Sequence, residues 1–179
     1  MADVGVRLAR PDDVEEIARI QVQTWGFAYA SLLPATAFDM MTLPAARQAW
    51  AAAVRQPPSP RHRVLVALEQ DWRVGFVASS PAEDLEPADP QPQTTLSIAA
   101  LVVEPRWARR GHGSRLLAAA VDYARDDGMS RAIVWVPEQD TEMREFYVSA
   151  GWAPDGLARG LDAGGGEVRE IRLHTAIGD

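Results

Sequence analysis

Along this chain the spacing of apolar positions switches repeatedly between an extended and a helical period, which predicts strands and helices in alternation. Residues 4–9 alternate apolar and polar positions up to Pro11, the pattern of a short first strand. Asp12 or Asp13 can then cap a helix that carries Val14, Ile17 and Ala18 on one face, with Glu15 and Glu16 in its first turn, where the helix dipole favours acid. Residues 25–33 are aromatic-rich, and Pro34 interrupts them. Pro44 suits a first helical position, so a second helix is expected over 45–54 with Trp50 toward the core, stopped by Pro57, Pro58 and Pro60.

The period then becomes extended. Residues 63–68 and 73–79 are β-branched runs separated by 69–72, which predicts a hairpin. Residues 80–93 hold four prolines and four acids with little apolar content, so they predict an exposed loop. Residues 94–103 (TTLSIAALVV) are almost wholly apolar and lead into Pro105, as expected of a central strand buried on both faces. Gly111-His112-Gly113 opens a third helix with Leu116, Leu117, Ala120, Val121 and Ala124 on one stripe and Gly128 past its end. A buried strand follows over 131–136. Asp140 or Thr141 caps a fourth helix bearing Met143, Phe146, Tyr147 and Ala150, and Gly151 stops it. A last hairpin joins 152–158 to 168–175 across glycines 164–166. No repeat or linker breaks this order, so residues 1–179 predict one α/β domain with a mixed sheet of about seven strands and about four helices.

Composition narrows the chemistry. The 18 basic residues, all arginine, stand against 25 acids for a net charge of −7, which argues against binding nucleic acid or an anionic membrane. The absence of cysteine excludes disulfides, thiolate zinc sites and a cysteine nucleophile. No H-E-x-x-H and no G-x-S-x-G occurs, so neither a metal nor a serine-hydrolase elbow is expected. No apolar stretch is long enough to span a bilayer, and no basic segment leads into an apolar one at the start; a cytoplasmic protein is expected.

The most informative segment is 101–117, LVVEPRWARRGHGSRLL. A strand leads into a loop of arginines and glycines, and the loop runs directly into a helix. The first helical turn leaves N–H groups without intrahelical acceptors, the dipole adds positive charge there, and Arg106, Arg109, Arg110 and Arg115 share that end. Glycines 111 and 113 let a ligand approach the backbone, which together describes a phosphate or pyrophosphate cradle. The P-loop pattern needs a lysine, and the dinucleotide fingerprint needs a glycine at Leu116, so the cradle is of another kind.

These residues resemble the GCN5-related N-acetyltransferases, the GNAT superfamily. Its signature is a strand ending V-x-P, followed by R/Q-x-x-G-x-G/A at a helix start. Val103-Glu104-Pro105 and Gly111-His112-Gly113 match it, with Ala108 in place of the R/Q. Downstream, residues 140–152 follow the family frame N-x-x-A-x-x-F/L-Y-x-x-x-G-F, with Asp140, Met143 and Trp152 as departures. Trp25, Tyr29, Leu33 and Pro34 fit a looser W-x-x-x-Y-x-x-x-L-P pattern.

The resemblance implies a mostly antiparallel sheet, acetyl-CoA as co-substrate without a metal, and acetyl transfer to a primary amine of a small molecule or peptide in a ternary complex. It implies a pyrophosphate cradle of amides at Arg109, Arg110, Gly111, His112, Gly113 and Ser114. Backbone of Leu101, Val102 and Val103 would hold the pantetheine arm, with Asp140 also near the cofactor. Tyr147 would be the general acid, and Trp25 and Tyr29 would line either the acceptor pocket or the core. An alkyl amine of pKa about 10.4 is free base in only about one molecule in 10³ at pH 7, so a proton must be removed before attack. The position where many members keep a strand glutamate is Ser97, which leaves Glu138, Glu83, Asp84 and Glu86 as candidate bases. His112 is expected to offer its backbone, since no carboxylate lies at a suitable spacing. A non-catalytic CoA-binding domain is the competing expectation, and an exposed sheet edge makes a homodimer possible.

Overall fold

The computed structural model describes residues 4–178. The elements in chain order are β1 (Val4–Leu8), α1 (Val14–Ala28), α2 (Ala35–Asp39), α3 (Leu43–Arg55), β2 (Arg63–Glu69), β3 (Trp72–Pro81), β4 (Thr95–Val103), α4 (His112–Asp126), β5 (Arg131–Pro137), α5 (Thr141–Ser149), β6 (Ala153–Asp162) and β7 (Glu167–Ala176). The strands form one seven-stranded sheet in the order β1-β2-β3-β4-β5-β7-β6. Every neighbouring pair is antiparallel except β4 and β5, which run parallel and are joined by the α4 crossover. No helix among the described residues is long and apolar enough to cross a membrane.

Period-two alternation divides the strand residues between two cores. Leu65 and Ala67 point to the face covered by α4 and α5, where Leu116, Leu117, Ala120 and Tyr147 meet them. Val64 and Val66 point to the opposite face, against Ile17 and Ile20 of α1 and the half-buried Trp50 of α3. Trp50 meets Phe76 edge-on at 4.9 Å, so the aromatic expected to face the core does so.

Three local expectations change. A fifth, short helix (α2) follows Pro34, which sits in extended backbone at ψ 151° as its N-cap rather than ending order there. The next helix starts at Leu43, because the Thr42 hydroxyl accepts the Ala45 amide at 3.3 Å and Pro44 takes one of the first two helical positions. Asp13 occupies the N-cap of α1 but makes no side-chain cap bond. Its fully buried carboxylate instead accepts from Arg7 at 2.6 and 3.0 Å, from Arg73 Nε at 2.9 Å and from the Arg10 amide at 2.7 Å. This joint ties β1, the start of α1 and β3 together.

The proline- and acid-rich segment after β3 is largely exposed as expected, but Asp89 anchors it. Asp89 accepts from Arg172 at 2.6 and 2.9 Å and from Arg131 at 2.7 Å, and Asp155 binds the same two arginines. Bidentate guanidinium–carboxylate geometry thus fastens the segment to β5, β6 and β7.

Burial alone would raise the Asp13 carboxyl, but its hydrogen bonds from Arg7, Arg73 and the Arg10 amide outweigh that and hold it at about 2. Its native value lies below the unfolded value of about 3.9. Its contribution to stability is therefore full above pH 4 and is lost as pH falls toward 2. Asp13→Ala is expected to cost about 3 kcal/mol at pH 7, the low end for a broken buried pair because both guanidiniums keep some contact with water. Urea midpoints of the two proteins should converge between pH 4 and 2; a constant gap would remove the carboxylate charge as the cause.

Candidate functional site

The site begins with a failure of pairing. β4 and β5 share register only from Thr95↔Arg131 to Ile98↔Val134. On its other side, β4 steps from Ser79↔Ile98 to Ala78↔Ala100, so Ala99 is an extra residue and the strand bulges there. Beyond the bulge β4 parts from β5. This corrects the expectation of a strand buried on both faces: Thr95, Leu96 and Ile98 are buried, Ala99 is exposed, and Ala100 and Leu101 are half-buried against the opening.

The opening is a cleft of about 190 Å³ that connects the two faces of the sheet. Residues 98–101 of β4 and 134–137 of β5 form its throat. Tyr147 and Met143 of α5 enter from one side, and Trp25 and Tyr29, with Leu32 and Leu33 after α1, enter from the other. Of the strand residues expected near the pantetheine, Leu101 lines the cleft, whereas the Val102 side chain packs into the core under α1. Val103 packs on the α4 face, and β5 offers neither Val102 nor Val103 a register partner.

The loop before α4, whose Gly113 lies beside Leu101 of the cleft wall, is wound unusually. Arg109 adopts φ 62° and Gly111, the N-cap of α4, φ 80°. For Arg109 this left-handed conformation is uncommon, and with Gly111 it interrupts the regular turn before α4. The N–H groups of residues 109–114 donate to no acceptor among the described residues. Arg115 is the first to close a helical bond, to the Gly111 carbonyl at 3.1 Å. Six free amides at the positive end of a fifteen-residue helix suit a doubly charged anion.

Side-chain charge contributes less than the sequence suggests. Arg106 pairs with Glu104 at 2.9 Å and Arg110 with Glu69 at 2.8 Å, while Arg115 donates to the Arg110 carbonyl. Arg109, loosely opposite Glu142 at 3.8 Å, extends into solvent. His112 corrects an expectation. Its amide is one of the six without an acceptor, but its buried ring is 2.7 Å from Glu69 through Nε2, and Nδ1 has no partner among the described residues. That carboxylate comes from β2, 43 positions away, which sequence spacing could not reveal. Glu69 is held below the usual carboxylate range by His112 and Arg110.

Tyr147 is 1% exposed and lies edge-on to Phe146 at 5.2 Å and Trp152 at 5.0 Å. Burial, then the nearby Tyr29, push its phenol up, so it stays protonated across the physiological range. Tyr29 donates to Asp140 at 3.2 Å, and its phenol is raised by burial, Asp140 and Glu170. Asp140 caps α5 as expected, accepting the Met143 amide at 3.0 Å, so both of its oxygens are engaged. None of the candidate bases Glu138, Glu83, Asp84 and Glu86 lines the cleft, nor does Ser97. Glu138 pairs with Arg169 and Asp84 with Arg159.

The carboxylate that does line the cleft is Glu170 of β7. Sequence reasoning missed it, although Glu170 and Arg172 share the face of β7 opposite to Ile171 and Leu173, and charges repeating every second residue in a strand were a usable signal. Among the described residues no group of three or more acidic or histidine side chains is set to hold a metal ion.

Comparison with known proteins agrees with this architecture. A family model described as the acetyltransferase (GNAT) family matches residues 21–152. The Bacillus subtilis protein YuaI, described as an uncharacterized N-acetyltransferase, is 24% identical over 172 residues, covering 95% of this chain and 91% of YuaI. The PaiA N-acetyltransferase of Thermoplasma acidophilum, solved with coenzyme A, superposes with a TM-score of 0.73 at 13% identity, over 97% of this chain and 99% of its own. Salmonella typhimurium yncA, solved with acetyl-CoA, gives 0.73 at 17% identity, over 99% and 95%.

The two cradle glycines are needed for different reasons. A Cβ at Gly111 would sit at a positive φ, whereas one at Gly113 would press on Phe146 Cε2 at 3.3 Å. Gly113→Val is expected to lower stability by about 1–3 kcal/mol through displacement of the Phe146 ring, read as a shifted urea midpoint. An unchanged midpoint would show that α4 and α5 tolerate the added volume.

Proposed function

Because the chain belongs to the GNAT family of acetyltransferases, we propose that it transfers the acetyl group of acetyl-CoA to a primary amine, directly and within a ternary complex. One observation carries this reading: the six amides of residues 109–114, unpartnered among the described residues and wound around left-handed Arg109 and Gly111 beside Leu101 of the cleft wall. The pyrophosphate fits there, gripped by the amides of Arg109, Arg110, Gly111, His112, Gly113 and Ser114. Arg109 is the cation best placed to follow it, since its guanidinium is the least engaged of those in the loop. Ala108 supplies no side-chain donor, so the grip rests on backbone.

The parted edge of β4 at Leu101, Val102 and Val103 suits the amide-bearing pantetheine arm, which can pair with backbone that β5 leaves free. Bound acetyl-CoA supplies an activated thioester carbonyl in the throat of the cleft. The free amine then forms the C–N bond as the C–S bond breaks; one proton leaves nitrogen and, through water, restores the Tyr147 phenol, and one reaches sulfur. Tyr147 is the donor of that second proton: it lines the cleft, and its raised phenol keeps the proton until negative charge develops nearby. Trp25 and Tyr29 form a wall of the acceptor end. Asp140 acts through Tyr29 and the start of α5, holding Tyr147's helix in place.

Two measurements test this. Gly111→Val, which needs a β-branched residue at φ 80°, is expected to weaken acetyl-CoA binding by at least roughly tenfold, about 1.4 kcal/mol. Calorimetry that finds wild-type affinity would place the cofactor elsewhere, and no heat from wild type with CoA or acetyl-CoA would end the proposal. Tyr147→Phe is expected to lower kcat by roughly 10²-fold while leaving acetyl-CoA affinity unchanged. An unaltered kcat would remove the phenol from the reaction.

A further inference from the structure

Resting on that reading of the cleft as the acceptor end, we infer that the acceptor is a compact, largely apolar monoamine whose ammonium group is held against Glu170. The wall facing Tyr147 is built of Trp25, Leu32, Leu33, Met41, Leu161 and Val168. Glu170 is the charged side chain that lines the cleft, and no arginine or histidine joins it among the described residues. A substrate carboxylate or phosphate would therefore enter with nothing to compensate it, and an uncompensated charge in an apolar site is strongly disfavoured.

The local charge count favours a cation. Glu170 is 9% exposed and accepts from Arg159 Nε through Oε2 at 2.7 Å. The same guanidinium binds Asp84 through Nη1 and lies over the Trp135 ring at 4.3 Å. One positive and two negative charges leave this cluster at −1, and Glu170 Oε1 has no partner among the described residues. Asp140 adds a second carboxylate without a cationic partner among the described residues, joined to the cleft through the Tyr29 hydroxyl. An ammonium at Oε1 completes the pairing; one of its protons passes to that carboxylate, and the nitrogen, now free base, turns to the throat.

Size sets the other limit. A cavity of about 150 Å³ is enough for benzene, so a cleft of about 190 Å³ that must also admit an acetyl group holds one ring or one branched chain. A polyamine would bring its second ammonium among leucines and methionine, where no acid besides Glu170 lines the cleft among the described residues.

The test uses the full chain and four amines: 2-phenylethylamine, 3-methylbutylamine, spermidine and L-phenylalanine. Acetyl-CoA binding is measured first by calorimetry, and transfer is then followed by release of free CoA thiol. Either apolar monoamine should give a kcat/KM at least roughly tenfold above spermidine and L-phenylalanine. Glu170→Gln should raise KM for the monoamine by roughly tenfold with acetyl-CoA affinity unchanged. Leu161→Arg, at a half-exposed position of the same cleft, should narrow the preference for 2-phenylethylamine over L-phenylalanine by roughly tenfold, and it supplies this readout if the Glu170 variant folds poorly. Better use of spermidine or L-phenylalanine, or unmoved KM and preference in the variants, would overturn the inference. Acetyl-CoA binding with none of the monoamines acetylated would overturn it too while leaving the cofactor reading intact. Failure of acetyl-CoA to bind would bring down the proposed function itself.

Discussion

The site depends on one interruption of hydrogen bonding, the parting of β4 from β5 after four paired residues. A parallel pair in the middle of a sheet normally continues, because unpaired buried amides and carbonyls cost about 1–3 kcal/mol each. Here the extra residue at Ala99 turns β4 outward while β5 continues straight into its pairing with β7. The gap is tolerable because it is open: Ala99 is exposed, and its neighbours on both strands face the cleft. A bulge of one residue thus converts a continuous sheet into two wings and creates free backbone where a ligand can pair.

The rest of the molecule holds those wings in place, and five of its arginines serve that purpose. Arg7 and Arg73 converge on Asp13 at the β1–β3 side, while Arg131 and Arg172 converge on Asp89 and Asp155 at the β5–β7 side. Arg63 binds Asp127 at the end of α4. These pairs are partly or wholly shielded from water, so removing one partner strands a charge, and each pair acts as a positional constraint more than as a source of net stability. Because the chain has no lysine, nearly all its cationic side chains are planar forks suited to two carboxylates at once. At the start of α4 this pairing leaves Arg109 as the loosely engaged guanidinium among Arg106, Arg109, Arg110 and Arg115, so an anion there would be held chiefly by amides and the α4 dipole.

Sequence periodicity revealed the elements whose spacing is regular over many residues. The α4 stripe, the β2–β3 hairpin and the glycines opening α4 follow from local rules, and the family motifs sit on them. Hidden from the sequence were features made by residues distant in the chain. Asp13 reads as a helix cap because its competitor partners, Arg7 and Arg73, lie on two strands whose pairing is not visible locally. His112 reads as bare backbone until the β2 turn delivers Glu69. The acidic segment supplied plausible bases by composition, yet its Asp84 and Asp89 turn toward arginines, and the carboxylate in the cleft arrives on the last strand as Glu170. The apolar run of β4 announced burial on both faces, but hydrophobicity cannot register that a neighbouring strand has moved away.

The two ends of the cleft also carry opposite electrostatic bias on a protein whose net charge is −7. At one end a helix start and six free amides favour an anion; across the throat, Glu170 and Asp140 favour a cation among apolar walls. Net charge therefore says little about this site, because short-range groups in a partly dry cleft outweigh distant, screened surface charge. Reversal of bias over the depth of one sheet gives the proposed reaction its direction: a phosphorylated carrier would sit at the α4 end and an ammonium at the β7 end, and the two reactants would meet where the strands part. Tyr147 stands at that meeting point with its proton retained by burial. The bulge at Ala99, the left-handed turn at Arg109 and the charge on Glu170 are thus three parts of a single arrangement, and none of them orients a reaction without the other two.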